Sequence, residues 1–178
     1  MNNFELGILD FIRNNIANPV LDKIMPLITK LGDDGIFWIV LAVVLLIFKR
    51  TRKTGLCIGL ALLMGFIVGN LFLKNVFARI RPYDLNTDIQ ILVPHLSDYS
   101  FPSGHTLASF EAATAIFINN KKWGIPALCL ATLIALSRLY LYVHYPTDVL
   151  VGILLGIGFG VISCAIIKKY QDKLCFLR

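Results

Sequence analysis

The stretch from Ser137 to Asp148 places an arginine, a histidine and a carboxylate between two long apolar runs. Arg138 has a planar guanidinium that suits phosphate oxygens, and His144 has a ring nitrogen able to attack phosphorus. Pro146 predicts a new helix with Asp148 in its first turn, where a carboxylate is favoured. From there Asp148 could hold one ring nitrogen of His144 and leave the other free to attack. The stretch predicts a nucleophilic histidine with an orienting carboxylate, and a structural His–Asp pair is the alternative.

A second group of cations lies directly after the end of an earlier apolar run. Lys74 and Arg81 are seven residues apart, about two helical turns, so they are predicted to share one helix face. Pro82 is predicted to end or redirect that helix. Lysine and arginine snorkelling at a membrane boundary are the alternative, and Arg79, which falls off the shared face, is assigned to it.

The third group is Pro102-Ser103-Gly104-His105, where another apolar run begins. It predicts a helix N-terminus with Pro102 at the first helical position, free backbone N–H groups, and a glycine that lets a phosphate come close. His105 would lie in the first turn and could give a proton to a leaving oxygen. An ordinary capped helix start is the alternative.

The elements that must position these groups are membrane helices. Of the 178 residues, 57% are hydrophobic and 16% are charged, and the mean hydropathy is +0.73. This composition is typical of a membrane protein. The predicted fold is all-α, one domain over residues 1–178, with a membrane bundle of five to six transmembrane helices at 35–167. Its strong apolar runs are Gly35–Phe48, Gly55–Leu73, Ser103–Ile118, Trp123–Val143 and Thr147–Ile167.

The two ends of the chain are predicted to lie outside the bilayer core. Residues 1–31 have apolar positions at helical spacing, broken near Asn18 and Pro19, and are predicted to be interfacial amphipathic helices. One poor transmembrane helix is the alternative. Residues 168–178 are predicted to be a basic cytoplasmic tail. In the last apolar run, the spacing of Gly152, Gly156 and Gly160 predicts close helix packing.

Loop charge predicts the orientation. The net charge of +6 is explained by short basic loops on one side, so nucleic-acid binding is not expected. That side is predicted to be cytoplasmic, and the three groups above are predicted to face the opposite side. The basic residues on the predicted cytoplasmic side are Lys49, Arg50, Arg52, Lys53, Lys121, Lys122, Lys168, Lys169, Lys173 and Arg178.

Together the three groups form a set suited to phosphoryl transfer: three cations, a helix N-terminus, a nucleophilic histidine with its carboxylate, and a second histidine. No carboxylate cluster suggests a magnesium site, and the cations can neutralise the phosphoryl charge. We therefore expect no metal and no cofactor.

The three ordered motifs, Lys74-x6-Arg81-Pro82, Pro102 to His105, and Ser137-Arg138-x5-His144-x3-Asp148, resemble the signature of the type 2 phosphatidic acid phosphatase superfamily. The resemblance implies a helical membrane lipid phosphatase that forms a phosphohistidine without a metal. It implies that His144 is the nucleophile, Asp148 its partner, and His105 the acid that later activates water. It further implies phosphate binding by Lys74, Arg81, Ser103, Gly104 and Arg138.

The substrate follows from a weaker resemblance. Residues 18–25 and 92–95 are similar to bacterial undecaprenyl pyrophosphate phosphatases of the bacitracin-resistance type, which implies a polyprenyl diphosphate and the bacterial cytoplasmic membrane. Phosphatidylglycerophosphate, phosphatidic acid and lipid A phosphates stay open. Soluble vanadate haloperoxidases share the signature, but this chain is apolar throughout. A lipid-binding protein with a degenerate site is the non-enzymatic alternative.

Two further polar residues lie outside the signature. His95 is predicted to be a solvated loop residue, with head-group contact as the alternative. Glu111 lies well inside an apolar helix and is predicted to be a buried, protonated structural residue; a role in shaping the substrate groove is the alternative. The oligomeric state is not predicted.

Overall fold

Each of the five apolar runs is helical in the computed structural model, which describes residues 3–171. A 3-10 turn, Asp33–Gly35, precedes α3, and a π-helical segment, Phe66–Leu73, joins α4 to α5. No strand occurs within the described range, in agreement with the predicted all-α class. The helices are α1 (Asn3–Asn15), α2 (Pro19–Lys30), α3 (Ile36–Ile47), α4 (Arg52–Gly65), α5 (Lys74–Phe77), α6 (Pro82–Leu85), α7 (Gly104–Asn119), α8 (Lys121–Tyr140) and α9 (Pro146–Tyr170).

Three segments are long and apolar enough to cross a membrane: Arg52–Leu85, Lys121–Tyr140 and Pro146–Tyr170. The other two apolar helices are shorter, with 12 residues in α3 and 16 in α7. A helix needs about 20 residues to span the hydrocarbon core. The five to six transmembrane helices expected from the sequence therefore remain a prediction.

Helix α7 is the centre of the bundle and packs against α4, α8 and α9. Its residues from Thr106 to Ile116 are almost all buried, and most of them are small. Trp38 of α3 donates its indole N–H to Ser109 Oγ of α7 at 3.0 Å, which satisfies a buried polar pair. The middle of α7 is thus enclosed by its neighbouring helices.

The glycines of α9 bring it close to α7, as their spacing predicted. A Cβ at Gly156 would lie 2.8 Å from the carbonyl oxygen of Leu107, and one at Gly152 would lie 3.1 Å from that of Ser103. Any side chain at Gly156 would therefore push the helices apart. The backbone N–H of Ser103 donates to the carbonyl oxygen of Asp148 at 3.2 Å, so the N-termini of α7 and α9 meet.

The N-terminal segment forms two separate helices. Asn18 is extended and its Oδ1 accepts hydrogen bonds from the N–H groups of Val20 and Leu21, which begins α2. Tyr142 donates its hydroxyl to Asp10 of α1 at 2.7 Å, and Tyr140 donates to Asp22 of α2 at 2.6 Å. Both helices are therefore docked on the chain around the end of α8, which argues against one continuous N-terminal helix.

The chain that follows α3 meets the described end of α9 at one end of the bundle. Lys53, which follows α3, donates to Gln171, which follows α9, at 3.1 Å. The start of α7, the end of α8 and the start of α9 lie at the other end, because consecutive helices alternate in direction. The predicted tail lies within the described residues only to Gln171.

Candidate active site

One cavity of about 740 Å³ lies between the helices, and its polar part lies at the motif end of the bundle. Ser103 and Asp148, which the sequence also predicted as site residues, are buried beside this cavity. The cavity wall brings together six of the residues that the sequence indicated, from all three motifs: Lys74, Arg81, Gly104, His105, Arg138 and His144.

His144 is buried between a carboxylate and an arginine. Its Nδ1 lies 3.5 Å from Asp148 Oδ2, and its Nε2 lies 3.2 Å from Nη1 of Arg81. Asp148 Oδ2 also accepts hydrogen bonds from the backbone N–H of Tyr145 at 2.9 Å and from Ser100 Oγ at 2.5 Å. The Asp148 carboxylate thus faces Nδ1 of the ring, as predicted, and the second ring nitrogen, Nε2, faces Arg81.

The His144 imidazole is neutral at pH 7. Burial lowers its pKa, the Asp148 carboxylate opposes that change, and Arg81 and Arg138 add to it, so the pKa falls to about 3. A neutral imidazole keeps a lone pair on one nitrogen and can therefore act as a nucleophile.

Lys74 and Arg81 converge, but not by sharing a helix face. The helix ends at Phe77, because Ala78 adopts a left-handed conformation with φ of 41°. Arg81 follows in extended backbone, and Pro82 begins α6 instead of ending the earlier helix. The predicted two-turn helix between the cations is therefore wrong, although its consequence, two cations in one place, holds.

The carboxylate of Asp98 lies between these two cations. It forms ion pairs with Lys74 and with Nη2 of Arg81, and its backbone oxygen accepts from Nε of Arg81 at 2.9 Å. Burial raises the pKa of Asp98, but the two cations outweigh that effect and hold the pKa at about 2. An anion is therefore the group that this position favours.

The start of α7 differs by two residues from its prediction. Ser103 is the N-cap residue and Gly104 is the first helical residue, so Pro102 lies outside the helix. A Cβ at Gly104 would lie 3.8 Å from Nζ of Lys74, which places the helix N-terminus beside that cation. His105 pairs its Nε2 with Asp33 Oδ1 at 2.8 Å, a partner from the 3-10 turn.

Arg138 has more hydrogen-bond donors than it has acceptors among the described residues. Its side chain is buried, and its Nη1 donates to Thr29 Oγ1 of α2 at 2.5 Å. Its Nε and Nη2 are buried and have no hydrogen-bond partner among the residues that the structure describes. Buried guanidinium groups are normally paired, so these N–H groups indicate a place for an acceptor in the cavity.

Sequence reasoning missed several residues of the site, above all Arg79. Its Nη1 lies 2.6 Å from Asp148 Oδ1 and its Nη2 lies 2.6 Å from Glu5 Oε2. The assignment of Arg79 to a snorkelling cation is therefore wrong. A signal was present, because three basic residues fall between positions 74 and 81 on the side that is otherwise poor in lysine and arginine.

His95 and Glu111 both line the cavity. His95 is exposed and its ring packs edge-on against Tyr83, with ring centroids 4.9 Å apart. Glu111 is buried against Gly65, and its Oε1 has no hydrogen-bond partner within the described range. The positions fit both interpretations of each residue.

No group of three or more His, Cys, Asp or Glu side chains that could hold a metal ion occurs in residues 3–171. The predicted independence of metals remains a prediction. Among the described residues, the positive charge in the cavity comes from lysine and arginine side chains.

The family is shown by comparison. Residues 53–172 match the model of the PAP2 superfamily, so the chain belongs to that superfamily, as the three motifs indicated. An undecaprenyl-diphosphatase of Sulfolobus acidocaldarius is 35% identical in an alignment of 167 residues, covering 90% of this chain and 79% of that protein. The undecaprenyl-diphosphatase BcrC of Bacillus subtilis is 34% identical over 143 residues, covering 80% of this chain and 73% of BcrC.

Solved structures share the fold. Aquifex aeolicus LpxE superposes with a TM-score of 0.82 at 32% identity, covering 92% of this chain and 96% of LpxE. A transmembrane PAP2 type phosphatidylglycerolphosphate phosphatase from Bacillus subtilis gives a TM-score of 0.74 at 29% identity, covering 98% of this chain and 87% of that one. The chain is thus an integral membrane enzyme, a lipid phosphatase of the PAP2 superfamily, similar to undecaprenyl-diphosphatases of the BcrC type.

Proposed function

We propose that the enzyme hydrolyses undecaprenyl diphosphate to undecaprenyl phosphate and inorganic phosphate through a phosphohistidine on His144. The observation that carries this proposal is that Nε and Nη2 of Arg138, buried in the same cavity as Lys74 and Arg81, have no hydrogen-bond partner among residues 3–171. Fixed cations around a neutral, oriented imidazole suit a terminal phosphoryl group, whose charge they neutralise.

The reaction divides into two steps. In the first, His144 Nε2 attacks the terminal phosphorus and the bond from phosphorus to the bridging oxygen breaks. His105, which takes up a proton when the anionic substrate binds beside it, gives that proton to the leaving lipid phosphate. In the second, His105 takes a proton from water, which attacks the phosphohistidine and releases inorganic phosphate. Asp148 holds the Nδ1 proton of His144 throughout, while Lys74, Arg81, Arg138, Ser103 and the N-terminus at Gly104 bind the phosphoryl oxygens.

The choice of a polyprenyl diphosphate is supported by the relatives named undecaprenyl-diphosphatase. It is also supported by the cavity, which continues from the cations along an apolar wall that includes Ile39, Val43 and Phe66. A lipid tail would lie there by apolar burial. Phosphatidylglycerophosphate is the second candidate, because a similar structure is named as a phosphatase of that lipid.

We place the site on the extracytoplasmic face of a bacterial cytoplasmic membrane. The support is the distribution of charge: Lys53, at the start of α4, contacts Gln171, just after α9, at one end of the bundle, and the cationic residues of the cavity lie at the other end. By the positive-inside rule the basic end is cytoplasmic.

A phosphate-release panel tests the proposal with the purified, detergent-solubilised enzyme. We expect undecaprenyl diphosphate to give the highest kcat/KM, ahead of phosphatidylglycerophosphate, phosphatidic acid and a lipid A phosphate. We also expect full activity in excess chelator, because side-chain cations take the electrostatic part that a metal plays elsewhere. Activity that disappears in chelator and returns only with a divalent metal would contradict the mechanism.

Asp98 is expected to compete with the substrate for its cations, since its carboxylate already pairs with Lys74 and Arg81. Asp98→Asn keeps the backbone acceptor and the shape but removes the competing charge. Because partly exposed ion pairs contribute about 0.2–1 kcal/mol each and two are removed, we expect inhibition by inorganic phosphate to strengthen roughly two- to thirtyfold. Measured inhibition constants of the two proteins check this.

Asp88→Asn is the matched control, because Asp88 is exposed in the same loop. It is expected to leave the inhibition constant unchanged. A weaker inhibition by phosphate in Asp98→Asn would show that Asp98 holds the two cations in place instead of competing for them.

A further inference from the structure

Arg79 joins the carboxylate of Asp148 to the N-terminal helix α1. We propose that Arg79 is a positioning residue, which acts through Asp148 on His144, and that Glu5 of α1 fixes Arg79 in that place. The inference rests on the proposed function of His144 and Asp148, and it assigns α1 a part in catalysis beyond membrane attachment.

The two oxygens of Asp148 are divided between two tasks. Oδ2 lies 3.5 Å from the His144 ring and accepts from Ser100 and from the backbone of Tyr145. Oδ1 pairs with Arg79 Nη1 at 2.6 Å. A carboxylate bound at both oxygens cannot rotate, so the contact with Arg79 determines the direction in which Oδ2 meets the imidazole.

The other end of the guanidinium is held by Glu5. Arg79 Nη2 donates to Glu5 Oε2 at 2.6 Å. Glu5 Oε1 in turn accepts from the backbone N–H of Thr147 at 3.1 Å and from its hydroxyl at 2.6 Å. The guanidinium also lies 3.7 Å from the centre of the Tyr145 ring, within the range of a cation–π contact.

This arrangement is built around charge as well as shape. Glu5 is 5% exposed and Asp148 is fully buried, and the guanidinium of Arg79 lies between the two carboxylates. Without it, two buried negative charges would remain close together beside the same helix start, which is unfavourable. Arg79 therefore keeps Asp148 both ionised and oriented while Glu5 is present.

The test compares Arg79→Gln, Arg79→Lys and Glu5→Gln in the full-length solubilised enzyme, with undecaprenyl diphosphate as substrate. Outer partners of metal-binding histidines contribute about 10- to 100-fold to activity, and we expect a similar loss of kcat for Arg79→Gln. KM and inhibition by inorganic phosphate should stay near their wild-type values, because the phosphate cations are untouched. Arg79→Lys should recover part of kcat, since an ammonium can pair with one carboxylate but lacks the fork that reaches both.

Arg13→Gln is the matched control, because Arg13 lies on the same helix α1 and its ion pair with Asp22 is long, at 3.9 Å. It should keep the wild-type kcat. Glu5→Gln should lower kcat less than Arg79→Gln does, because the amide oxygen still accepts from Thr147.

If Arg79 only anchored α1 to the rest of the bundle, the result would be different. Arg79→Gln would then lower the yield or the unfolding temperature, but kcat per folded molecule would equal the wild-type value and Arg79→Lys would have no kcat to recover. That result would overturn the inference. A wild-type enzyme that releases no phosphate from any lipid of the panel contradicts the proposed function instead. An active wild type with an unaffected Arg79→Gln contradicts only the inference.

Discussion

His144→Gln is expected to lower turnover of undecaprenyl diphosphate by about 10⁴-fold or more, because loss of a covalent nucleophile removes the reaction path itself. Glutamine fills much of the same volume and can still accept from Arg81, whose Nη1 lies 3.2 Å from the imidazole. The fold and the cations should therefore survive the change. Phosphate release under saturating substrate measures the loss.

A quench experiment with the terminal phosphate labelled tests the intermediate directly. Wild-type protein should retain an acid-labile, alkali-stable label, as expected of a phosphohistidine, and His144→Gln should retain none. His95→Gln is the comparison: that ring is exposed and packs on Tyr83, and the variant should keep most of its turnover. Full activity in His144→Gln would refute the nucleophile.

Asp148→Asn is expected to lower kcat by about 10³- to 10⁴-fold, by the logic of the orienting carboxylate in catalytic triads. The neutral amide cannot stabilise the proton on Nδ1 of His144, so the ring is free to take the unproductive tautomer with its lone pair turned away from phosphorus. KM should change little, because Lys74, Arg81 and Arg138 are unaltered. Steady-state kinetics on the preferred lipid separates the two quantities.

Folding needs its own measurement here, because Asp148 also pairs with Arg79 and accepts from Ser100 and Tyr145. Thermal unfolding in detergent shows whether Asp148→Asn is folded at the assay temperature, and Asp88→Asn, an exposed change of the same type, serves as control. A folded Asp148→Asn with wild-type kcat would mean that the His–Asp contact is structural only.

The composition of the site was largely predictable, since its motif residues carry recognisable chemistry at fixed spacing. Lys74, Arg81, His105, Arg138 and His144 all line one cavity. Helix positions were predictable for the same reason that membrane helices generally are, from long apolar runs bounded by glycine, proline and charge.

The connections between motifs were not predictable. The left-handed turn at Ala78, with φ of 41°, has no glycine or asparagine to announce it, yet it sends Arg79 toward Asp148. The partners of the motif residues are also distant in sequence: Arg138 pairs with Thr29, 109 positions away, and His105 with Asp33, 72 positions away. Such contacts follow from tertiary packing and leave no local pattern.

The hydrogen bond between Glu5 and Thr147 joins residues 142 positions apart in the chain. At about 5–20 residues per second, a ribosome needs roughly 7–30 seconds to make that length. During that interval Glu5 has no Thr147 to bind, although Arg79, its other partner, is synthesised earlier. Helix α1, with 13 residues, is too short to carry Glu5 across the bilayer. The contact between α1 and the start of α9 therefore forms late in synthesis, and Asp148 meets the Arg79–Glu5 pair only then.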